Sequence, residues 1–138
     1  MRTFAFRLPP LSDLQPSLEE FTRVHHIQAG CILSCVGNLD QAAIQMADQV
    51  EPTILQGPFE IVSLAGTLSP DGNHLHISFA DSIGQTYGGH LREGTLVFTS
   101  AELVLADFDE LRFHRIPDPE TGSDELVVKP GDFSNQDQ

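Results

Sequence analysis

Basic residues are scarce: seven lysines and arginines stand against twenty aspartates and glutamates in 138 residues, a formal net charge of −13. Nucleic acid carries dense negative charge, so a chain of this sign is repelled from it as a whole. The seven cations, Arg2, Arg7, Arg23, Arg92, Arg112, Arg115 and Lys129, are scattered, and only Arg112 with Arg115 comes close to a patch. Direct nucleic acid binding is therefore disfavoured, with one route left open, an assembly that clusters arginines from several copies. Cysteine is nearly absent as well. Cys31 and Cys35 form a single C-x-x-x-C pair, and in a strand they would lie about 13 Å apart, too far for a disulfide. Both are expected to be buried thiols, with a helical placement or a redox role as the alternatives. The apolar runs break well short of a membrane span, and the N-terminus has no charged region followed by a long apolar segment and cleavage site. Cytoplasmic residence without a membrane segment is the expectation. The chain also has no G-x-S-x-G, no G-x-x-x-x-G-K-[ST] and no G-x-G-x-x-G opening a helix. Hydrolase triads, nucleotide hydrolysis and dinucleotide cofactors lose their support.

What is present fits one globular domain, since 40% of the residues are apolar and 138 residues suffice for one core. The domain is expected over residues 1–128, with a short polar tail at 129–138 that frays. Arg2 to Leu8 alternates Phe4 and Phe6 with other residues and predicts a strand, stopped by Pro9-Pro10. A helix follows, with Asp13 as N-cap, Pro16 in the first turn, and Leu14, Leu18, Phe21 and Val24 or His25 as its apolar stripe; Gly30 is read as its end. His25 and His26 diverge by about 100° on a helix, which favours packing roles over a shared ligand. Cys31 to Val36 predicts a strand, Gly37-Asn38 a turn, and Gln41 to Ala47 a further strand or extended segment. Phe59 to Leu68 predicts another after Gly57-Pro58. Ser69 to Asn73 is a turn leading into a hairpin. Leu96 to Leu105 is apolar on both alternating faces, which predicts cover on both sides. Leu111 to Ile116 carries His114 into a strand, Pro117 to Ser123 is a loop, and Leu126 to Val128 is expected to return to the sheet.

The stretch from His74 to Arg92 holds the strongest chemistry. Asp81 to Gln85 has the composition of a three-residue hairpin loop, with Gly84 where a left-handed residue is needed. Centring the hairpin on Ile83 pairs Phe79 with Tyr87, Leu75 with Leu91, and His76 with His90. Leu75, Ile77, Phe79, Tyr87 and Leu91 then share one face, fit for a core. The other face collects His74, His76 and His90 within cross-strand reach. Three imidazoles with a fourth position open to water or substrate suit zinc, or another divalent first-row metal. Gly88, opposite Ser78, leaves space for a ligand beside the ion, and Arg92, placed opposite His74, is a candidate to hold a small anion. A second reading stands beside this one: the outward face of a hairpin is polar, and histidine is an ordinary occupant of it. Glu60 and Glu102 sit in apolar strands, where an ionised carboxylate is costly unless paired. They are read either as structural partners of arginine or backbone amides, or as a general base near the metal.

These residues also carry a resemblance. The run from His74 to Leu91, preceded by Gly57-Pro58-Phe59-Glu60-Ile61-Val62-Ser63-Leu64-Ala65-Gly66 and followed by Ala101-Glu102-Leu103-Val104-Leu105, resembles the PPC domain shared by plants and prokaryotes, over roughly Arg2 to Val128. The resemblance implies an α+β domain, with a mixed, largely antiparallel sheet and one main helix near the N-terminus, that assembles as a homotrimer. It also implies a zinc-like cluster at His74, His76 and His90, and a fold relation to acetolactate decarboxylase. Plant relatives are described as DNA-binding through a separate basic AT-hook with an Arg-Gly-Arg-Pro core, which this chain does not contain. Binding of a small molecule or protein partner is the leading expectation. The rivals are a metal-dependent enzyme acting on a small oxo or hydroxy acid, with Arg92 orienting the anionic group, and a regulatory protein acting on nucleic acid through a partner.

Overall fold

In the computed structural model, which describes residues 1–132, apolar alternation builds strands nearly everywhere and a helix only once. The order is β1 (Arg2–Leu8), α1 (Leu14–Val24), β2 (Gly30–Gln45), β3 (Thr53–Leu68), β4 (His74–Ala80), β5 (Thr86–Leu91), β6 (Leu96–Asp107), β7 (Leu111–Pro117) and β8 (Asp124–Pro130). Six strands form one sheet in the order β1-β6-β2-β3-β4-β5. The end of β2 also pairs with β5, through Ile44 with Leu91 and Gln45 with His90, so β2 to β5 closes on itself. The architecture is thus sheet-dominated with a single helix, as expected. Where a mixed sheet was expected, every strand pairing among the described residues is antiparallel.

The helix covers one face because its stripe matches the sheet's. Leu14 and Leu18 are fully buried and Thr22 nearly so, while Phe21 stacks on Phe6 at 4.2 Å and meets Phe4 edge-on at 5.4 Å. Each fully buried leucine contributes about 1.5–3 kcal/mol relative to exposure. Asp13 stands at the N-cap without capping α1, because its carboxylate instead accepts the Gly94 N–H at 2.9 and 3.1 Å. The helix ends at Val24. His25 packs on Phe21 at 4.1 Å and His26 takes a positive φ of 54°, so the stop falls well before Gly30, which opens β2.

Two expected breaks are absent. Gly37-Asn38 is not a turn but lies inside the sixteen-residue β2. A Cβ at Gly37 would stand 2.2 Å from the Ser100 carbonyl oxygen, so glycine serves a close strand crossing there. Asn38 uses its side chain on Thr99 and Ser100 across the ladder. The second break, at Gly57-Pro58, falls within β3, which begins at Thr53. At the other end of the chain, β8 does not rejoin the main sheet. It pairs with β7 in a separate two-stranded ribbon and continues through Pro130, past the expected start of the tail. Residues 133–138, on which most of the expected fraying falls, lie outside the described residues.

From Val97 to Val104, β6 is buried on one side only within the chain, whereas its last residues, Leu105, Ala106 and Asp107, are all buried. Leu103 and Leu105 face the core, whereas Phe98, Glu102 and Val104 face outward. Among the described residues no helix is long and apolar enough to cross a membrane, a statement that leaves membrane β-barrels aside.

Candidate metal centre

The hairpin register is the one that loop chemistry and alternation dictate. His76 pairs with His90, Ser78 with Gly88, and Phe79 with Tyr87. Gly84 has φ of +82°, its N–H bonds the Asp81 carbonyl at 3.0 Å, and the Asp81 carboxylate accepts the Ile83 and Gln85 N–H groups. Leu75, Ile77, Phe79 and Leu91 are buried and Tyr87 half-buried, which turns the alternate residues outward. His74, His76 and His90 meet there, with ring centroids 5.0, 5.3 and 5.7 Å apart. One ring nitrogen from each lies within 4.8 Å of the others. A tetrahedral ion with bonds of about 2.05 Å would want these nitrogens about 3.3 Å apart, a modest inward rotation of the rings. The donor set therefore fits zinc or a comparable first-row cation: three neutral nitrogens, with room on the exposed side for a further ligand.

The site's electrostatics suit metal more than protons. Partial burial first, then the positive charge of Arg115 and the neighbouring His76, hold the His74 imidazole below its ordinary pKa; Glu125 acts in the opposite direction. His90 is lowered likewise, by burial, then His74 and His76, then Arg92. The cysteines offer no rival site. Both are free, and burial pushes the Cys35 thiol up to about 11 and raises Cys31 too, so each stays a neutral thiol at neutral pH.

Three clefts meet at the histidines. One, of about 610 Å³, is lined by His76, His90, Gly88 and Gly89 together with the segment after β2, from Gln45 to Val50. Gly88 thus borders the open side, as its position opposite Ser78 requires. The other two, of about 390 and 340 Å³, lie between the hairpin and the β7–β8 ribbon, and both contain His74, Arg115 and Glu125. Arg92 is not opposite His74, because β4–β5 pairing stops at His76 with His90; it is exposed beyond the end of β5, with its N–H on the Ala43 carbonyl. Glu60 and Glu102 do not join the cluster either. Both are exposed on the outer face of the sheet, Glu60 beside Ala80 and Glu102 beside Val36, which removes the burial cost that made them candidates. The charged neighbours that sequence reasoning missed are Arg115 and Glu125. They arrive because Asp71, in the turn before β4, accepts the Arg115 N–H at 3.1 Å and faces His114 Nδ1 at 3.4 Å, fastening the ribbon beside the hairpin.

Comparison with known proteins agrees with this fold. Residues 1–109 match the family model described as the Plants and Prokaryotes Conserved domain. The bifunctional protein GlmU of Synechococcus sp. strain JA-3-3Ab is 50% identical over 129 residues, 94% of this chain and 21% of that protein. The chain thus spans about a fifth of that curated relative. Among solved structures, a hypothetical protein from Salmonella superimposes with a TM-score of 0.91 at 37% identity, covering 94% of both chains. The metal-containing protein AF0104 from Archaeoglobus fulgidus superimposes with a TM-score of 0.76 at 32% identity, covering 92% of this chain and 94% of that one. A likeness of fold alone, at 14% identity and a TM-score of 0.51, extends to a Staphylococcus aureus protein similar to alpha-acetolactate decarboxylase, over 77% of this chain and 52% of that one.

Proposed function

This chain belongs to the Plants and Prokaryotes Conserved domain family, and on that premise we propose that it holds one divalent first-row metal ion, zinc foremost, on His74, His76 and His90 and presents it to a small molecule or protein partner. The observation that carries this reading is the convergence of three imidazole nitrogens within 4.8 Å on an otherwise acidic chain, beside open clefts. That the Archaeoglobus relative is a metal-containing protein supports it. The ion's part would be to bind and polarise an oxygen ligand at the open position. Gly88 leaves that position accessible, and Arg92 adds positive charge on the His90 side. In the Synechococcus relative the matched stretch is a fifth of a longer bifunctional protein, a setting that suits a single binding domain, here residues 1–128, joined to a longer chain. The unit is proposed to work as a homotrimer.

Elemental analysis of protein purified without added metal tests the site. The wild-type chain should carry about one equivalent, and a His76→Ala/His90→Ala variant should lose nearly all of it, since one remaining imidazole cannot hold the ion. Equal metal content in both proteins refutes the reading.

One observation favours a metal-dependent enzyme as the second reading: Glu125, a carboxylate, lines the same cleft as His74 and His76, where a proton-accepting base would stand. Turnover of small 2-oxo or 2-hydroxy acids that disappears on chelation would select it. A role on nucleic acid needs a partner to supply the positive surface, because the net charge of −13 opposes direct contact.

A further inference from the structure

Arg115 is held in place beside the histidines. One of its guanidinium nitrogens donates to Thr67 Oγ1 at 2.9 Å, and its backbone N–H is held by Asp71, so the base of the side chain and one edge of the fork are fixed. Among the described residues no carboxylate lies within ion-pairing distance of it, although the chain carries twenty acidic residues to seven basic ones. A guanidinium has five N–H donors, and the Thr67 contact uses one. The rest make no hydrogen bond to the described residues, and Arg115 lines both clefts that it shares with His74. Those clefts, of about 390 and 340 Å³, have ample room for a small organic acid. In so acidic a chain an anion must be drawn in by a local cation, and the planar fork of arginine matches a carboxylate in a way that lysine's point charge does not.

We propose that Arg115 is the specificity-determining residue of the histidine site, and that the site's ligand is a small 2-oxo acid whose carboxylate docks on the Arg115 guanidinium while an oxygen beside it reaches the ion held by the histidines. This rests on the metal reading given above. Arg92 is the alternative anchor, and it lines none of the three clefts that meet at the cluster. Glu125 shares both Arg115 clefts and narrows the choice of ligand: a compact monoanion reaches the guanidinium, whereas a bulkier polyanion meets the carboxylate.

The test uses protein loaded with cobalt(II), whose visible absorption reports on the ligands of the ion, titrated with pyruvate and separately with methyl pyruvate, which lacks the charge. Pyruvate should perturb the spectrum saturably, and methyl pyruvate should bind at least ten-fold more weakly. Arg115→Gln and Arg115→Lys should both retain one cobalt per chain, which also reports an intact fold. Arg115→Gln should weaken pyruvate at least ten-fold with no change for the ester, Arg115→Lys should fall between, and Arg92→Gln, whose charge acts from outside the clefts, should weaken it clearly less than Arg115→Gln does. Pyruvate affinity unchanged in Arg115→Gln with cobalt retained overturns the assignment of Arg115 alone, as does an equal loss in Arg92→Gln. Failure of the wild-type protein to take up stoichiometric cobalt overturns the metal reading and this inference with it.

Discussion

His74 and His90 lose proton affinity for the same leading reason. Each is partly withdrawn from water, and each then faces like charge: Arg115 and His76 beside His74, His74 and His76 beside His90. A metal ion and a proton compete for the same lone pair, so a lowered pKa keeps these nitrogens available to the ion at more acidic pH. In metal-free protein both imidazoles should titrate below the ordinary value of 6.5. The unfolded chain takes up these protons near 6.5, and the folded one resists until the pH is lower. Between those points the unfolded state holds more protons, so this contribution to stability is full above 6.5 and is lost as the pH falls through the folded values. Ring-proton NMR across that range is the measurement, and midpoints at or above 6.5 for both histidines would contradict the electrostatics described.

The β7–β8 ribbon is the element on which the site's charged wall depends, and it sits outside the stretch matched by the family model. Asp71 holds it locally through the Arg115 N–H and His114, while Phe113 anchors it through burial and an N–H to the Gln28 carbonyl. Removing one exposed hydrogen bond costs about 1 kcal/mol. Asp71→Ala should therefore speed amide exchange at Arg115 about five-fold while leaving the buried Phe79 amide unchanged; identical exchange at Arg115 in both proteins would show that Asp71 holds nothing. The contrast between this ribbon and the β4–β5 hairpin explains what the sequence could disclose. In the hairpin a glycine loop and strict alternation fix the register within about ten residues, so the three histidines were legible before any coordinates. The helix and most strands were legible by the same local periodicity. Gly37-Asn38 misled because its turn chemistry is local, whereas the close approach of Ser100 that requires glycine there is not. Arg115 reaches His74 only through a contact spanning 44 residues, from Arg115 to Asp71, and no spacing within the ribbon announces it.

At the scale of the whole molecule, the unexplained feature is the outer face of the sheet. Leu33, Val36, Val62 and Phe98 are 54, 60, 57 and 50% exposed, with Val104 beside them, on a face that carries no helix. Apolar exposure spread over β2, β3 and β6 is of the kind that association surfaces carry, and the two-sided cover expected of β6, which the single chain does not provide, would be supplied by a second copy seated there. Self-association must overcome the repulsion between chains of charge −13, which favours contact through this apolar face over contact through the acidic remainder. Arg7 and Glu102, directly opposite each other in the β1–β6 register, can neutralise one another as water is withdrawn from them. A homotrimer built on this face should run near 45 kDa, three times the 15.1 kDa chain, in light scattering coupled to gel filtration. Val36→Asp with Val104→Asp places charge where the partner would sit, and because both side chains are already exposed the core is untouched. The double variant should elute as a monomer with an unchanged circular dichroism spectrum, its repulsion easing as salt is raised. A double variant that remains trimeric would move the interface to another surface, and a wild-type chain that is monomeric at micromolar concentration would leave this face to a different partner.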